Sequence, residues 1–415
     1  MLTRGSGKAF SPRGGACGAT KPAAEIVAPA GDMKKLDVAY EYGADAVYLA
    51  GKKLGMRAAC KNFDYEALKA ASLAAHSRRK KFYVALNIFP FDEDIDTVDE
   101  YVDYLLSLHA DGLIVSDIGL IRRILKAHAG VPVHVSTQAN VLNTDTALFY
   151  ADLGVKRIVL ARELSLKQIR RIRDSLPDAV ELEAFVHGAM CISYSGRCLL
   201  SNYLTGRSAN RGECNQACRM VFTPERDAEK LELVESDGSY IFGGNDLNMI
   251  EHLKELRDAG VTSFKIEGRV KSEYYVGCIV GAYRKALDCV LRGETVPEIY
   301  AAETAKAPNR GFNTGFYFGQ PNRVAIDPPY YEFCGIVMDN TPEGAVVEMR
   351  NRFVTGETLE VLSPDVRYLN KAITVPVMKT ENGDEITDAK IPAQRVLLCG
   401  VRLPELSMLR RAPRK

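Results

Sequence analysis

From Glu25 onward the chain alternates short apolar runs with amphipathic helical stretches, and this alternation restricts the possible folds more than any other feature. The runs are EIVAP (25–29), AVYLAG (46–51), FYVALN (82–87), LIVSD (113–117), VHVSTQ (133–138), RIVLARE (157–163), LEAFVHG (182–188) and FKIEGR (264–269). Each is rich in Val, Ile, Leu or aromatic residues, as strands buried on both faces of a parallel sheet require. Between and after them lie helix patterns such as MKKLDVAYEYG, DYEALKAASLAAHSRRK, SLKQIRRIRDSL and SEYYVGCIVGAYRKALDCVLRG, several ended by a C-cap glycine. Eight such units over about 270 residues match the count and size of a closed, TIM-like (β/α)8 barrel, an α/β fold. An open doubly wound sheet is the alternative, but the first run is followed by APAGD and not by G-x-G-x-x-G.

The spacing also divides the chain. Residues 1–24 read as a flexible tail and 25–295 as the barrel. About 75 residues separate the seventh and eighth runs, enough for a cysteine-rich insertion at 188–219 and a hairpin, KLELVESDGSYIFGG, turning at Asp-Gly. Residues 296–328, rich in Pro, Gly and Asn, read as a linker. Short alternating runs over 329–405 (FCGIVMD, GAVVEMRN, TLEVLSP, KAITVPVMK, RVLLCGV) predict a small C-terminal antiparallel β-barrel, followed by a basic tail at 406–415.

Four cysteines fall in the insertion as Cys191-x6-Cys198-x15-Cys214-x3-Cys218. Gathered thiolates select soft or borderline metals. Structural zinc sites bring cysteines in tight pairs, and only Cys214 and Cys218 have that spacing, so the wide first gap leans toward an iron–sulfur cluster. Zinc, and a disulfide or ordinary buried thiols, remain open on spacing alone. The N-terminus has basic residues without the apolar core of a secretory signal, which predicts a cytoplasmic chain whose thiols stay reduced. Of the scattered cysteines, Cys60 is a possible extra or substitute ligand. No apolar run approaches the roughly 20 residues that span a bilayer. A net charge of +1 gives no global attraction to nucleic acid, so such a partner must meet a local patch.

In a barrel of this kind, chemistry sits at the C-terminal ends of the strands. The run ends supply Asn87, Asp117, Gln138, Arg162, Glu163, His187, Glu267 and Arg269, with Arg57 just after the second run. Polar residues also cap helices there, so part of this ring is expected to do no chemistry. His187 and Glu163 are the candidate acid–base groups. Arg162 and Arg269 suit a substrate with carboxylate or phosphate groups, because a guanidinium forks onto both. Within the insertion, Arg197, Arg207, Arg211 and Arg219 face one acid, Glu213, with Tyr194 and Tyr203 interleaved. That mixture can hold a phosphate backbone and stack unpaired bases, and it can also offset the charge of a thiolate centre. G-x-S-x-G, H-E-x-x-H and P-loop motifs are absent from the sequence.

The run Glu183-x-Phe185-x-x-Gly188-Ala189-Met190-Cys191-x4-Gly196-x-Cys198-x-Leu200-Ser201 resembles the signature of the collagenase-like peptidase family U-32. APAGDMKKLDVAYEYGADAVYLAG and RGFNTGFYFG are similar to further parts of that family, so the resemblance covers nearly the whole chain. Length and the C-terminal β domain look most similar to its branch of prephenate-dependent tRNA uridine hydroxylases, which form 5-hydroxyuridine at the wobble position. Related branches hydroxylate a ribosomal RNA cytidine or a ubiquinone precursor. The resemblance implies an iron–sulfur cluster of the 4Fe–4S kind on Cys191, Cys198 and Cys214, with Cys218 or another residue as fourth ligand. It further implies prephenate as co-substrate, held by Arg162 and Arg269, and tRNA as partner, gripped by the C-terminal domain. The remaining candidates for substrate binding are Arg57, Glu267, Gln138, Arg197, Arg207 and Arg211. The alternative the resemblance carries is a collagenase-like peptidase, for which the sequence offers no recognisable nucleophile and base. A non-catalytic RNA-binding factor rigidified by metal is a third reading. Oligomeric state stays open.

Overall fold

The computed structural model describes residues 24–56, 62–220, 225–226, 229–230, 244–322 and 330–413. Most of the expected N-terminal tail and hairpin, with Arg57 and Cys60, lies outside them. Seven strands run in order: β1 (Glu25–Pro29), β2 (Ala46–Leu49), β3 (Lys81–Leu86), β4 (Gly112–Val115), β5 (Val133–Val135), β6 (Arg157–Val159) and β7 (Glu181–Ala189). β8 (Asp246–Asn248) pairs antiparallel with the far end of β7, and β9 (Ser263–Ile266) is the eighth barrel strand. From β1 to β7 each strand pairs in parallel with the next, and β9 bonds in parallel to both β7 and β1, closing the barrel. All eight runs predicted from sequence are these strands. A short β10 (Phe312–Asn313) lies parallel to β8.

The helices form an outer layer by laying apolar faces on the strands, and several start at a side chain that takes up free N–H groups. Asp32 accepts from Lys35 N at 3.0 Å at the start of α1 (Met33–Glu41), and Asp64 and Asp117 do the same for α2 (Tyr65–Ser77) and α5 (Ile118–Ala127). Between these last two come α3 (Asp92–Ile95) and α4 (Val98–Ser107). α6 (Thr144–Asp152), α7 (Leu166–Ser175), α8 (Leu200–Thr205) and α9 (Leu253–Asp258) precede the long α10 (Glu273–Arg292). The segment 296–328, read as a linker, carries α11 (Glu298–Ala305), which packs on α10. No helix among the described residues is long and apolar enough to cross a membrane.

The barrel interior is not wholly apolar. Period-two alternation turns Tyr83, Arg157, Glu183 and Lys265 inward, and at one end they form a buried ion network with Glu25. Arg157 donates to Glu183 at 2.9 Å and to Glu25, and Lys265 Nζ reaches the other Glu183 oxygen at 2.7 Å. Burial alone would raise the Glu183 carboxyl, but Lys265 and Arg157 outweigh it and hold the pKa down at about 2. A folded-state pKa below the ordinary 4.5 means stability that is present above pH 4.5 and lost as pH falls toward 2. Thermal melts of Glu183→Gln are therefore expected to show lower stability at neutral pH and a flatter decline over that window than the parent chain.

The C-terminal part is an eight-stranded antiparallel sheet curled around its own apolar core, including Val337, Val347, Phe353 and Leu409. Its strands are β11 (Glu332–Thr341), β12 (Gly344–Met349), β13 (Thr358–Leu362), β14 (Ala372–Thr374), β15 (Met378–Thr380), β16 (Glu385–Ile386), β17 (Arg395–Cys399) and β18 (Met408–Arg411). Here the expectation of a basic tail at 406–415 is corrected, since β18 is an interior strand between β13 and β11. Its arginines looked like solvated charges in the sequence, yet Arg410 is fully buried against Glu303 of α11. The sheet is also joined to the barrel by Tyr42, whose hydroxyl donates to the carbonyls of Leu362 and Leu406.

Candidate active site

The strand ends place one cavity at the C-terminal mouth of the barrel, with a volume of about 130 Å³. Its floor is built from inward positions of the strands: Tyr48, Ala85, Ile114, Val159, Phe185 and Lys265. Asn87, Gln138, Arg162, Glu267 and Arg269 stand around the rim, and the cysteine insertion forms the roof. All four cysteines, Cys191, Cys198, Cys214 and Cys218, line this same cavity and none of them is in a disulfide. Burial pushes the Cys218 thiol up; Arg219 opposes this, and the neighbouring sulfurs of Cys191, Cys214 and Cys198 add to it. Among the described residues, no three His, Cys, Asp or Glu side chains converge tightly enough to hold a single metal ion.

The insertion is held over the mouth by contacts to three strand ends. Glu163, after β6, accepts from Ser195 N at 2.8 Å and from its hydroxyl at 3.2 Å. Arg162 donates to Ala189 O at 2.9 Å and to Cys191 Sγ at 3.3 Å. Arg211 forks onto Asp94 at 2.6 and 3.2 Å and lies 4.6 Å from the Phe91 ring centre, which pins the insertion to the chain after β3. Gly196 sits on the backbone after β5 at φ +74°, where an added Cβ would lie 2.0 Å from Gln138 O. Gly196→Ala is thus expected to force the insertion off the mouth and cost about 1–3 kcal/mol or more, read as a lowered melting temperature.

Three cations, Arg162, Lys265 and Arg269, face one acid, Glu267, in the lining. Lys265 Nζ is 4.4 Å from the Tyr48 ring centre, and Arg162 lies 5.3 Å from that of Phe185. Arg269 is buried and donates to Asn62 at 2.8 Å, while Tyr48 donates to Glu267 at 3.0 Å. Gly31, the glycine of APAGD, lets the end of β1 approach the Arg269 carbonyl, since a Cβ there would lie 2.2 Å from that oxygen. Lys265, Tyr48 and Phe185 escaped the sequence reading because it took the last residues of each run, whereas alternation also exposes earlier positions to the cavity floor.

Other expected residues sit elsewhere. His187 is buried away from the cavity, against Tyr275, Tyr283 and Phe312, with Nδ1 3.3 Å from the Tyr283 hydroxyl. Glu183 and Phe185 face inward, but a register shift between β7 and β9 at this point turns His187 outward. Burial holds its pKa at about 4. Asp117 is the α5 cap and does not line the cavity. Arg197 and Arg207 are exposed and do not line the cavity, and Leu199 and Tyr203 of the same insertion are exposed too.

The sequence profile of Peptidase family U32 matches residues 31–327, and that of the Peptidase family U32 C-terminal domain matches 329–410. The chain is similar to tRNA hydroxylation protein P1 of Bacillus subtilis, 34% identical over 387 residues, covering 90% of each chain. It is also 34% identical over 335 residues to the 23S rRNA 5-hydroxycytidine synthase of Escherichia coli, covering 78% of this chain and 49% of that one. A collagenase of Porphyromonas gingivalis is 34% identical over 309 residues, covering 71% and 74%. With profiles of the family matching most of both parts, the chain belongs to peptidase family U32.

Proposed function

We propose that this chain is an RNA hydroxylase that forms 5-hydroxyuridine at the wobble position of tRNA, with prephenate as co-substrate and an iron–sulfur cluster, of the 4Fe–4S kind, at its four cysteines. One observation carries the reading: four soft thiol donors share a cavity with Arg162, Arg269 and Lys265. Four thiols on one cavity, with a wide first gap in the sequence, suit an iron–sulfur cluster. When bound, such a cluster supplies one-electron transfer at the mouth of the barrel. The three cations orient a dicarboxylate by charge-assisted hydrogen bonds. Arg162, donating to Cys191, also stabilises a thiolate. Names of relatives point the same way, toward hydroxylation of tRNA and ribosomal RNA. Nucleoside mass spectrometry of bulk tRNA tests the proposal: 5-hydroxyuridine and its derivatives are expected to vanish from cells lacking the gene and from cells unable to make prephenate.

RNA capture falls to the exposed Arg197 and Arg207 and the exposed aromatic residues of the same insertion. Each lost phosphate contact lowers the salt dependence of binding by about 1 in slope. Arg207→Ala is expected to show that loss. Arg211→Ala is expected to lower thermal stability and leave the slope unchanged, since Asp94 and Phe91 already occupy its guanidinium. The relative named collagenase keeps a second reading, peptidase, in play. Gelatin cleavage by highly purified protein, lost on a point change at the barrel mouth, would move it to first place.

A further inference from the structure

We propose that a second concavity, on the other side of the Cys191–Tyr194 strip, receives one unstacked nucleobase of the RNA. This rests on the RNA-hydroxylase reading. The groove has a volume of about 530 Å³, and the strip Cys191–Tyr194 forms a wall of both it and the thiol-lined cavity. That size is ordinary for a small-ligand site. Two aromatic residues line it, Tyr194, which is 61% exposed, and Phe316 of the turn after β10. Aromatic faces in a groove stack bases of any sequence.

Glu163 supplies the polar contact. Its Oε1 accepts from Ser195 and so fixes the strip, whereas Oε2 is buried and has no hydrogen-bond partner among the described residues. A buried carboxylate oxygen without a donor is costly, and an arriving N–H relieves the cost. The Watson–Crick edge of a pyrimidine carries such a donor, N3–H in uridine. A phosphate or a carboxylate would be repelled by Glu163, so the groove selects a base over the RNA backbone and over an acidic co-substrate. The two concavities thus differ in charge: Arg162, Lys265 and Arg269 outnumber Glu267 in the first, whereas Glu163 is the one charged residue lining the second among the described residues. Cys191 lies on the wall between them.

Photo-crosslinking of the full chain tests this directly. A tRNA hairpin carrying 4-thiouridine at the uridine that the wild-type chain hydroxylates is irradiated, and crosslinked peptides are identified by mass spectrometry. Crosslinks are expected within 190–194 or 313–322, about tenfold weaker in Phe316→Ala. Glu163→Gln keeps an acceptor for Ser195 but can turn an amide N–H toward the base. It is expected to lower kcat/KM for the RNA about tenfold or more while metal content stays near wild type. Crosslinks confined to other peptides, or wild-type turnover in Glu163→Gln, would overturn the assignment while RNA hydroxylation itself stood. A wild-type chain that hydroxylates no RNA would instead overturn the reading on which it rests.

Discussion

Replacing Cys191, Cys198 or Cys214 by serine is expected to abolish the brown colour of protein purified without oxygen, together with its iron and sulfide. Thiolate-bound iron gives charge-transfer absorption, and serine is a harder, less acidic donor that does not replace it. The three residues line one cavity with Cys218, so losing any one opens the set. Cys218→Ser tests the fourth position in the same way. Cys289→Ser is the control, because Cys289 is a buried residue of α10 that does not line the cavity. Metal analysis and visible absorption of the same samples check the result. Zinc as the only metal in the anaerobic parent protein would contradict the cluster.

A second large effect is expected at the join between the domains. Arg410 and Glu303 are both buried, and the guanidinium contacts both Glu303 oxygens, at 2.5 and 2.9 Å, with a further bond to Glu360 at 2.9 Å. Arg410→Ala leaves the buried Glu303 carboxylate with Lys306 at 3.4 Å and the Cys278 thiol at 3.3 Å as its remaining partners among the described residues, which costs about 3–5 kcal/mol. Chemical denaturation at neutral pH measures this. Burial pushes the Glu303 pKa up, and Arg410, helped by Lys306 and the Cys278 thiol, more than reverses the shift, so the net direction is down. In the variant that carboxyl protonates more readily, and the deficit is expected to narrow as pH falls through the ordinary value of 4.5. Arg410→Lys is expected to recover only part of the loss, since an ammonium cannot fork onto both oxygens. A deficit under about 1 kcal/mol in Arg410→Ala would show that the domains do not depend on this pair.

The barrel was readable because each of its strands carries a short, mostly apolar run, a local signal that does not depend on distant residues. β18 was not, because what makes it an interior strand is non-local: Arg410 meets Glu303 and Glu360, and Arg411 meets Glu357 and Glu332, all far away in sequence. His187 shows a subtler limit. Strict alternation from Glu183 and Phe185 would place it inside the barrel, and a single register irregularity against β9 reverses it. Lys265 could have been found by carrying the same alternation back along FKIEGR, where Phe264 and Ile266 belong to the outer core while Lys265 and Glu267 line the cavity. Arg211 stands among the insertion's other arginines, and only the fold brings Asp94 to it.

The most direct test of the thiol-lined cavity as the seat of RNA hydroxylation is 5-hydroxyuridine content in bulk tRNA, quantified by mass spectrometry in gene-deleted cells resupplied with the parent chain, Cys198→Ser or Cys289→Ser at equal expression. The parent and Cys289→Ser are expected to restore the nucleoside and Cys198→Ser to leave it absent. Full restoration by Cys198→Ser would contradict the assignment.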